Sequence, residues 1–177
     1  NPPFIREENM SSESNEKSTI EVRLDQLGLK LPEPLKMPPG ARLPFAWIRI
    51  SGNRAYVSGH PPLEADGSLT SKLGKVGAEV SQDEAVQAAR QTAMAMLATL
   101  KRELGDLDRV TAWLRVFGMV NSAPGFDRQP DVINGFSDLI MDVYGPDRGN
   151  HARSAVGMAE LPFGIPVEIE AEVEIVA

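Results

Sequence analysis

HARSAVGMAELPFGIPVEIEAEVEI, residues His151–Ile175, holds the pattern that decides the fold. Its second half places Glu168, Glu170, Glu172 and Glu174 at every other position, alternating with Val167, Ile169, Ala171, Val173 and Ile175. Side chains on a strand alternate between faces, so this reads as a β-strand with one apolar and one acidic face. The apolar face belongs in a helix-covered core. The acidic face has two readings: it is bathed in water, or a ligand or another subunit covers it. The first half of the stretch is a further strand, in which Arg153, Ala155, Gly157 and Ala159 alternate with Ser154, Val156 and Met158. Small residues beside Arg153 suit a surface that something else covers, and a guanidinium is well suited to gripping a carboxylate bidentately.

The chain has 177 residues, enough for one domain with a real core plus a tail. It has no cysteine, which excludes disulfides, thiolate metal sites and a cysteine nucleophile. That fits a reducing, cytoplasmic setting. No apolar run approaches the roughly 18–20 residues that span a bilayer, and no basic-then-apolar leader opens the chain, so no membrane partner is expected. The net charge of −7 repels a phosphate backbone on average, and no Lys/Arg-rich run offers a footprint. Nucleic acid is therefore not an expected partner. His60 and His151 are the only histidines and lack metal-binding spacing, so no metal is expected. Nucleophile-elbow and phosphate-loop motifs are absent.

Outward from the last strands, the organisation is regular. Asn1–Asn9 read as a leader foreign to the domain, with Met10 as a plausible native start and Ser11–Lys17 as a disordered tail. Thr19–Leu27 has helical spacing and is stopped by Gly28; the proline-rich Leu31–Gly40 is an extended surface linker, so residues 18–42 form a helix-and-linker segment. The domain proper spans residues 43–177. Phe45–Ile50 and Ala55–Ser58 flank a hairpin turn at Ser51–Asn53. Ser81 and Glu84 form a capping box for a long helix whose buried face is Ala85, Ala89, Thr92, Met96, Leu100 and Leu104, closed by Gly105. A strand over Asp108–Val120 is expected to place Val110, Ala112, Leu114, Val116 and Gly118 on one face and Thr111, Trp113, Arg115 and Phe117 on the other. A second long helix over Asp131–Tyr144 buries Val132, Phe136, Leu139, Ile140 and Val143 and stops at Gly145, with Asp127 in its N-cap region and a turn at 145–150. Clustered strands with two intervening helices predict an α+β two-layer sandwich, both helices on one face of a mixed sheet.

Arg153-Ser-Ala-Val-Gly-Met-Ala-Glu-Leu-Pro162, followed by Pro166-Val-Glu-Ile-Glu-Ala171, resembles the C-terminal signature of the reactive intermediate deaminase family, also called Rid, YjgF or L-PSP endoribonuclease-like. Val57–Pro62 (VSGHPP) resembles the family's S-G-Q-x-P turn, and Gly105–Val110 is similar to its element after the long helix. The run from Val120 to Leu139 looks like a longer-loop branch of that family. The resemblance covers about Pro44–Val176. It implies a chorismate-mutase-like subunit of the bacillus type, assembled as a homotrimer with the glutamate faces around the threefold axis and ligand clefts between subunits. It also implies hydrolysis of a reactive enamine or imine, such as 2-aminoacrylate, to a 2-keto acid and ammonia, with no cofactor. Arg153 matches the arginine that holds the substrate carboxylate. Glu168 matches the glutamate that activates water. Phe45, Gly59, His60, Asn121 and Ala155 fall at substrate-contacting positions.

Three departures from that pattern bear on substrate: Phe45 replaces a tyrosine, His60 replaces the glutamine, and Ala155 replaces a common cysteine. They keep alive a second reading, a trimer that binds a small carboxylic acid without turning it over. A third, ribonuclease or translation inhibitor, rests only on the family's label. From the residues alone, His60 reads first as a turn or supporting residue and second as a pocket residue. Asn121 reads as a turn former or a ligand contact, and His151 as structural. Trp47, Trp113 and Phe126 read as packing or interface residues.

Overall fold

The computed structural model describes residues 18–177, so the expectations for residues 1–17 lie outside the described residues. The elements follow the order α1 (Thr19–Gln26), β1 (Ile48–Ser51), β2 (Arg54–His60), α2 (Gln82–Leu104), β3 (Val110–Asn121), α3 (Gln129–Gly149), β4 (Ala152–Met158) and β5 (Val167–Ile175). The five strands form one mixed sheet in the order β1-β2-β5-β3-β4. Only β3 and β4 are parallel, as a strand-helix-strand crossover through α3 requires; the other pairs are antiparallel. Helices α2 and α3 pack side by side on one face of the sheet. The expected α+β two-layer sandwich is the fold observed.

The core lies between helices and sheet. Val167, Ile169, Ala171, Val173 and Ile175 of β5 are all buried in it, as alternation predicts. Strand β3 departs from simple alternation. Its register against β5 shifts between Val110 and Ala112 and again between Trp113 and Arg115. Each shift inserts an extra residue, and one extra residue turns the following side chains to the other face. Trp113 thus enters the core beside Val110 and Val116, whereas Ala112 and Leu114 are only partly buried. There Trp113 meets Phe136 and Tyr144 edge-on, at 6.0 and 5.7 Å between ring centres.

Helix α2 begins with the expected reciprocal capping of Ser81 and Glu84 and ends at Gly105. Helix α3 is capped differently from the expectation. Its N-cap is Arg128, without a side-chain cap, and Pro130 sits in the first turn where a missing N–H does no harm. Gly145 breaks α3 with φ of 75°, yet the chain resumes one more helical turn to Gly149 instead of an open turn. Arg148 explains the resumption: its Nη2 donates to the Val110 carbonyl at 2.7 Å and its guanidinium lies 5.1 Å from the Tyr144 ring centre. The Tyr144 hydroxyl in turn donates to the Leu107 carbonyl.

The segment before β1 is pinned to the domain. Asp108 accepts hydrogen bonds from the Thr19 and Ile20 amides at the start of α1, and Ile20 and Leu24 are buried. The Leu31–Gly40 linker is largely exposed as expected, but Glu33 and Lys36 donate their amides to Ala65 and Gly67, and Lys36 pairs with Asp66 at 2.6 Å.

The two long helices meet closely at Gly135 of α3. A Cβ there would lie 2.2 Å from the Val86 carbonyl oxygen, which is backbone and cannot swing aside. Gly135→Ala is therefore expected to destabilise the fold by about 1–3 kcal/mol through overpacking, read by urea denaturation. Unchanged stability would show that α2 and α3 do not meet this closely.

Candidate functional site

The candidate residues fall into two clusters, one around a bulge in β2 and one at the β4 edge. The first is built on a bulge in β2. Val57 pairs with Ala171 and His60 with Ile169, so three steps along β2 match two along β5. The bulge brings the Gly59 backbone against Glu168: a Cβ at position 59 would lie 3.0 Å from the Glu168 carboxyl carbon. Only a glycine leaves both the carboxylate and the neighbouring backbone accessible here. Ser58 fastens the same corner to the preceding segment, donating its hydroxyl to Ala46 O and its amide to Trp47 O. Phe45, half exposed, meets Trp47 edge-on at 5.3 Å, and Trp47 lies 5.0 Å from His60.

The glutamate row is chemically divided. Glu172 pairs with Arg54 at 2.7 Å, and Glu174 accepts from the Thr111 hydroxyl at 2.7 Å. Glu168 and Glu170 have no hydrogen-bond or ion-pair partner among the described residues. Burial raises the Glu168 carboxyl above its ordinary range, and the Glu170 charge adds to the shift. A half-buried, unpartnered carboxylate that holds its proton more tightly than usual is suited to taking a proton from water and giving it back.

His60 is almost wholly buried, 3% exposed. Its Nδ1 lies 2.6 Å from the Ser58 carbonyl, which can only accept, so Nδ1 carries the hydrogen. Its Nε2 then accepts from the Thr99 hydroxyl at 2.8 Å, and Arg102 donates to the same hydroxyl oxygen. His60 thus clamps the bulge to α2 as a neutral ring. Asn121 is also buried. Its amide reaches the Gly74 and Ile165 carbonyls, and its oxygen accepts from Lys75 Nζ at 2.9 Å, so it ties together the loops at the end of β3.

The second cluster lies on the helix side, at the β4 edge. Arg153 sits opposite Val116 and Ala155 opposite Gly118. Val116 is buried under the helices, so Arg153 and Ala155 share that face, whereas Glu168 points out of the opposite one. The Arg153 guanidinium lies along α3, donating to Ser137 Oγ at 2.9 Å, Asn134 Oδ1 at 2.8 Å and the Pro130 carbonyl at 3.1 Å. Within one chain the structure does not bring Arg153 and Glu168 together. Ser137, Asn134 and Lys75 were not singled out from sequence. Asn134 and Ser137 follow i, i+3 spacing, a short polar stripe beside the buried face of α3 that a helical-wheel reading directed at Arg153 could have found; Pro130 contributes only its carbonyl. No group of three or more His, Asp or Glu among the described residues could hold a metal ion. No described helix is long and apolar enough to cross a membrane.

Comparison with known proteins shows the family of the chain. Residues 21–165 match the family described as "YjgF/chorismate_mutase-like, putative endoribonuclease", and the chain belongs to that family. Protein TCP17 of Trypanosoma cruzi is 40% identical over 157 residues, covering 88% of this chain and 94% of that protein. A solved protein of unknown function from Agrobacterium tumefaciens is 42% identical, with a TM-score of 0.78 over 89% of this chain and 92% of its own. A Shewanella oneidensis structure, carrying the same endoribonuclease description, is 27% identical with a TM-score of 0.80 over 89% of this chain and all of its own.

Burial pushes the His60 imidazole down from its ordinary 6.5 to about 4; the Ser58 carbonyl opposes the shift and the Arg102 charge adds to it. The folded value is the depressed one, so this stabilisation is complete above pH 6.5 and is lost as pH falls toward 4, by about 3 kcal/mol at most. In His60→Gln, which does not titrate, the fall in unfolding free energy between those limits should be shallower by that amount. Equal slopes in chemical denaturation would place His60 in water, against its observed burial.

Proposed function

We propose that this chain is a hydrolytic deaminase of small, carboxylate-bearing enamines and imines of the 2-aminoacrylate kind, and that it acts as a homotrimer with sites between subunits. The observation that carries the reading is Glu168: an unpartnered, half-buried carboxylate with a raised pKa, set against the partly exposed backbone of Gly59. Arg153 supplies the complementary half. It lies on the other face of the sheet, so a site that uses both residues must take each from a different copy. Closed rings of identical subunits offer such heterologous contacts.

In this scheme Arg153 of one copy holds the substrate carboxylate. Glu168 of the next removes a proton from water as the oxygen adds to the imine carbon. The carboxyl group returns that proton to nitrogen, giving a carbinolamine; it then takes the new hydroxyl proton and passes it to nitrogen as the carbon–nitrogen bond breaks, so that ammonia leaves and a 2-keto acid remains. An imine is already electrophilic, so the step requires neither metal nor organic cofactor. Phe45 has no hydroxyl to offer the substrate, which keeps a carboxylate-binding trimer without turnover as the second reading. Tight keto-acid binding without ammonia release would select it. The endoribonuclease description of relatives finds little support in a chain of net charge −7.

Ammonia and keto-acid release from freshly generated 2-aminoacrylate tests the reading. Arg153→Ala and Glu168→Gln should each lose roughly 10²–10⁴-fold in rate, while sedimentation shows an unchanged trimer. Mixed after co-refolding in equal amounts, the two inactive variants should recover about a quarter of the wild-type rate, since random assembly gives that share of sites both intact residues. A site within one chain would recover nothing, and no acceleration by the wild type would sink the deaminase reading.

A further inference from the structure

The guanidinium of Arg153 does not reach α3 by chance packing; it ends a continuous hydrogen-bonded chain. His151 Nδ1 lies 2.7 Å from the Gly149 carbonyl and Nε2 lies 2.9 Å from Ser137 Oγ. The carbonyl can only accept, so Nδ1 carries the hydrogen and Nε2 of the neutral ring is bare. Arg153 can only donate, so the Ser137 oxygen accepts from Nη1 and the hydroxyl hydrogen is left for His151 Nε2. Each donor finds one acceptor: Arg153 to Ser137, Ser137 to His151, His151 to Gly149. The Phe136 ring stands edge-on to the imidazole at 6.5 Å and closes its other side.

We propose that Ser137 and His151 are positioning residues for Arg153, a relay that fixes the direction of the guanidinium and, through it, the grip on a ligand carboxylate. The carboxylate role rests on the function proposed above; the relay itself does not. Three of the five N–H donors of Arg153 are occupied by Ser137, Asn134 and Pro130, which leaves two for a ligand. A side chain with several rotatable bonds, tethered at three points beforehand, loses less entropy when it binds.

The relay also has a defined way to fail. A proton on His151 Nε2 would turn that nitrogen into a donor toward Ser137. The hydroxyl would have to redirect its own hydrogen, and an imidazolium would stand one hydroxyl away from a guanidinium. The charged group bearing on His151 is Arg153 from β4; on α3 its neighbours are Ser137 and Phe136, and Gly149 presents only a carbonyl. Burial and the Arg153 charge both hold the imidazole below its ordinary range, and the Gly149 carbonyl opposes them.

Two measurements decide the proposal. The first contains no substrate: the His151 ring is titrated by NMR in the wild type, Arg153→Gln and Ser137→Ala. Removing the guanidinium should move the His151 midpoint upward, and removing the hydroxyl should change it as well. The second is steady-state turnover of 2-aminoacrylate. Ser137→Ala should raise KM roughly fivefold or more with kcat changed less than about twofold, the loss expected from a misaimed charge-assisted contact. Wild-type KM should rise on acidification through the His151 midpoint, and His151→Gln, which accepts from Ser137 but does not titrate, should flatten that rise. An unmoved His151 midpoint in both variants, or a Ser137→Ala enzyme with wild-type KM and pH profile, overturns the relay. If the wild type shows no turnover, the deaminase reading falls and the NMR titration alone decides the relay.

Discussion

Strand β5 is hydrogen-bonded along both edges, to β2 on one side and β3 on the other. Its side chains therefore have only two destinations, under the helices or out on the open face. Five apolar residues take the first and four glutamates the second. Everything else in the molecule accommodates that division. The long helices cover the apolar side, approaching so closely that α3 needs a glycine at position 135. On the acidic side, Arg54 and Thr111 neutralise or occupy the end of the row nearest the β1–β2 hairpin. The other end is left as Glu168 and Glu170, with desolvation instead of a partner acting on Glu168. A row of like charges thus becomes a structural half and a chemically available half.

The fold was legible where local rules and tertiary packing agree. The capping box at Ser81, the glycine stop at 105 and the two-residue period of β5 each act within a few residues, and each appears as read. The two bulges of β3 were not legible, because alternation around Trp113 can be written with either parity and only the pairing with β5 selects one. The restart of α3 after Gly145 was hidden for a similar reason. It depends on Arg148 reaching Val110, a contact 38 residues away in sequence.

The sequence offered candidate residues and not their arrangement. Arg153 and Glu168 are separated by a β3 strand and by the thickness of the sheet, which no spacing in the sequence reveals. The sequence also leaves His60 and Asn121 open between supporting and contact roles. The structure shows both with their polar atoms engaged inside the chain, His60 by Ser58 and Thr99, Asn121 by Gly74, Lys75 and Ile165. They act on the neighbouring backbone by holding it, His60 behind the Gly59 bulge and Asn121 at the mouth of β3.

The central place of β5 has a consequence in time. It follows every other described element in sequence, yet it sits between β2 and β3 in the sheet. Until it arrives, the hairpin of β1 and β2 has no neighbour, and the apolar undersides of α2 and α3 face a sheet with its middle missing. Pairings such as Arg54 with Glu174 close a loop of almost the whole domain, and contacts of that separation slow folding and prolong exposure of unpaired strand edges. A chain emerging from the ribosome therefore closes the middle of its sheet and completes its acidic face in one late step, and its unpaired strand edges stay exposed until then.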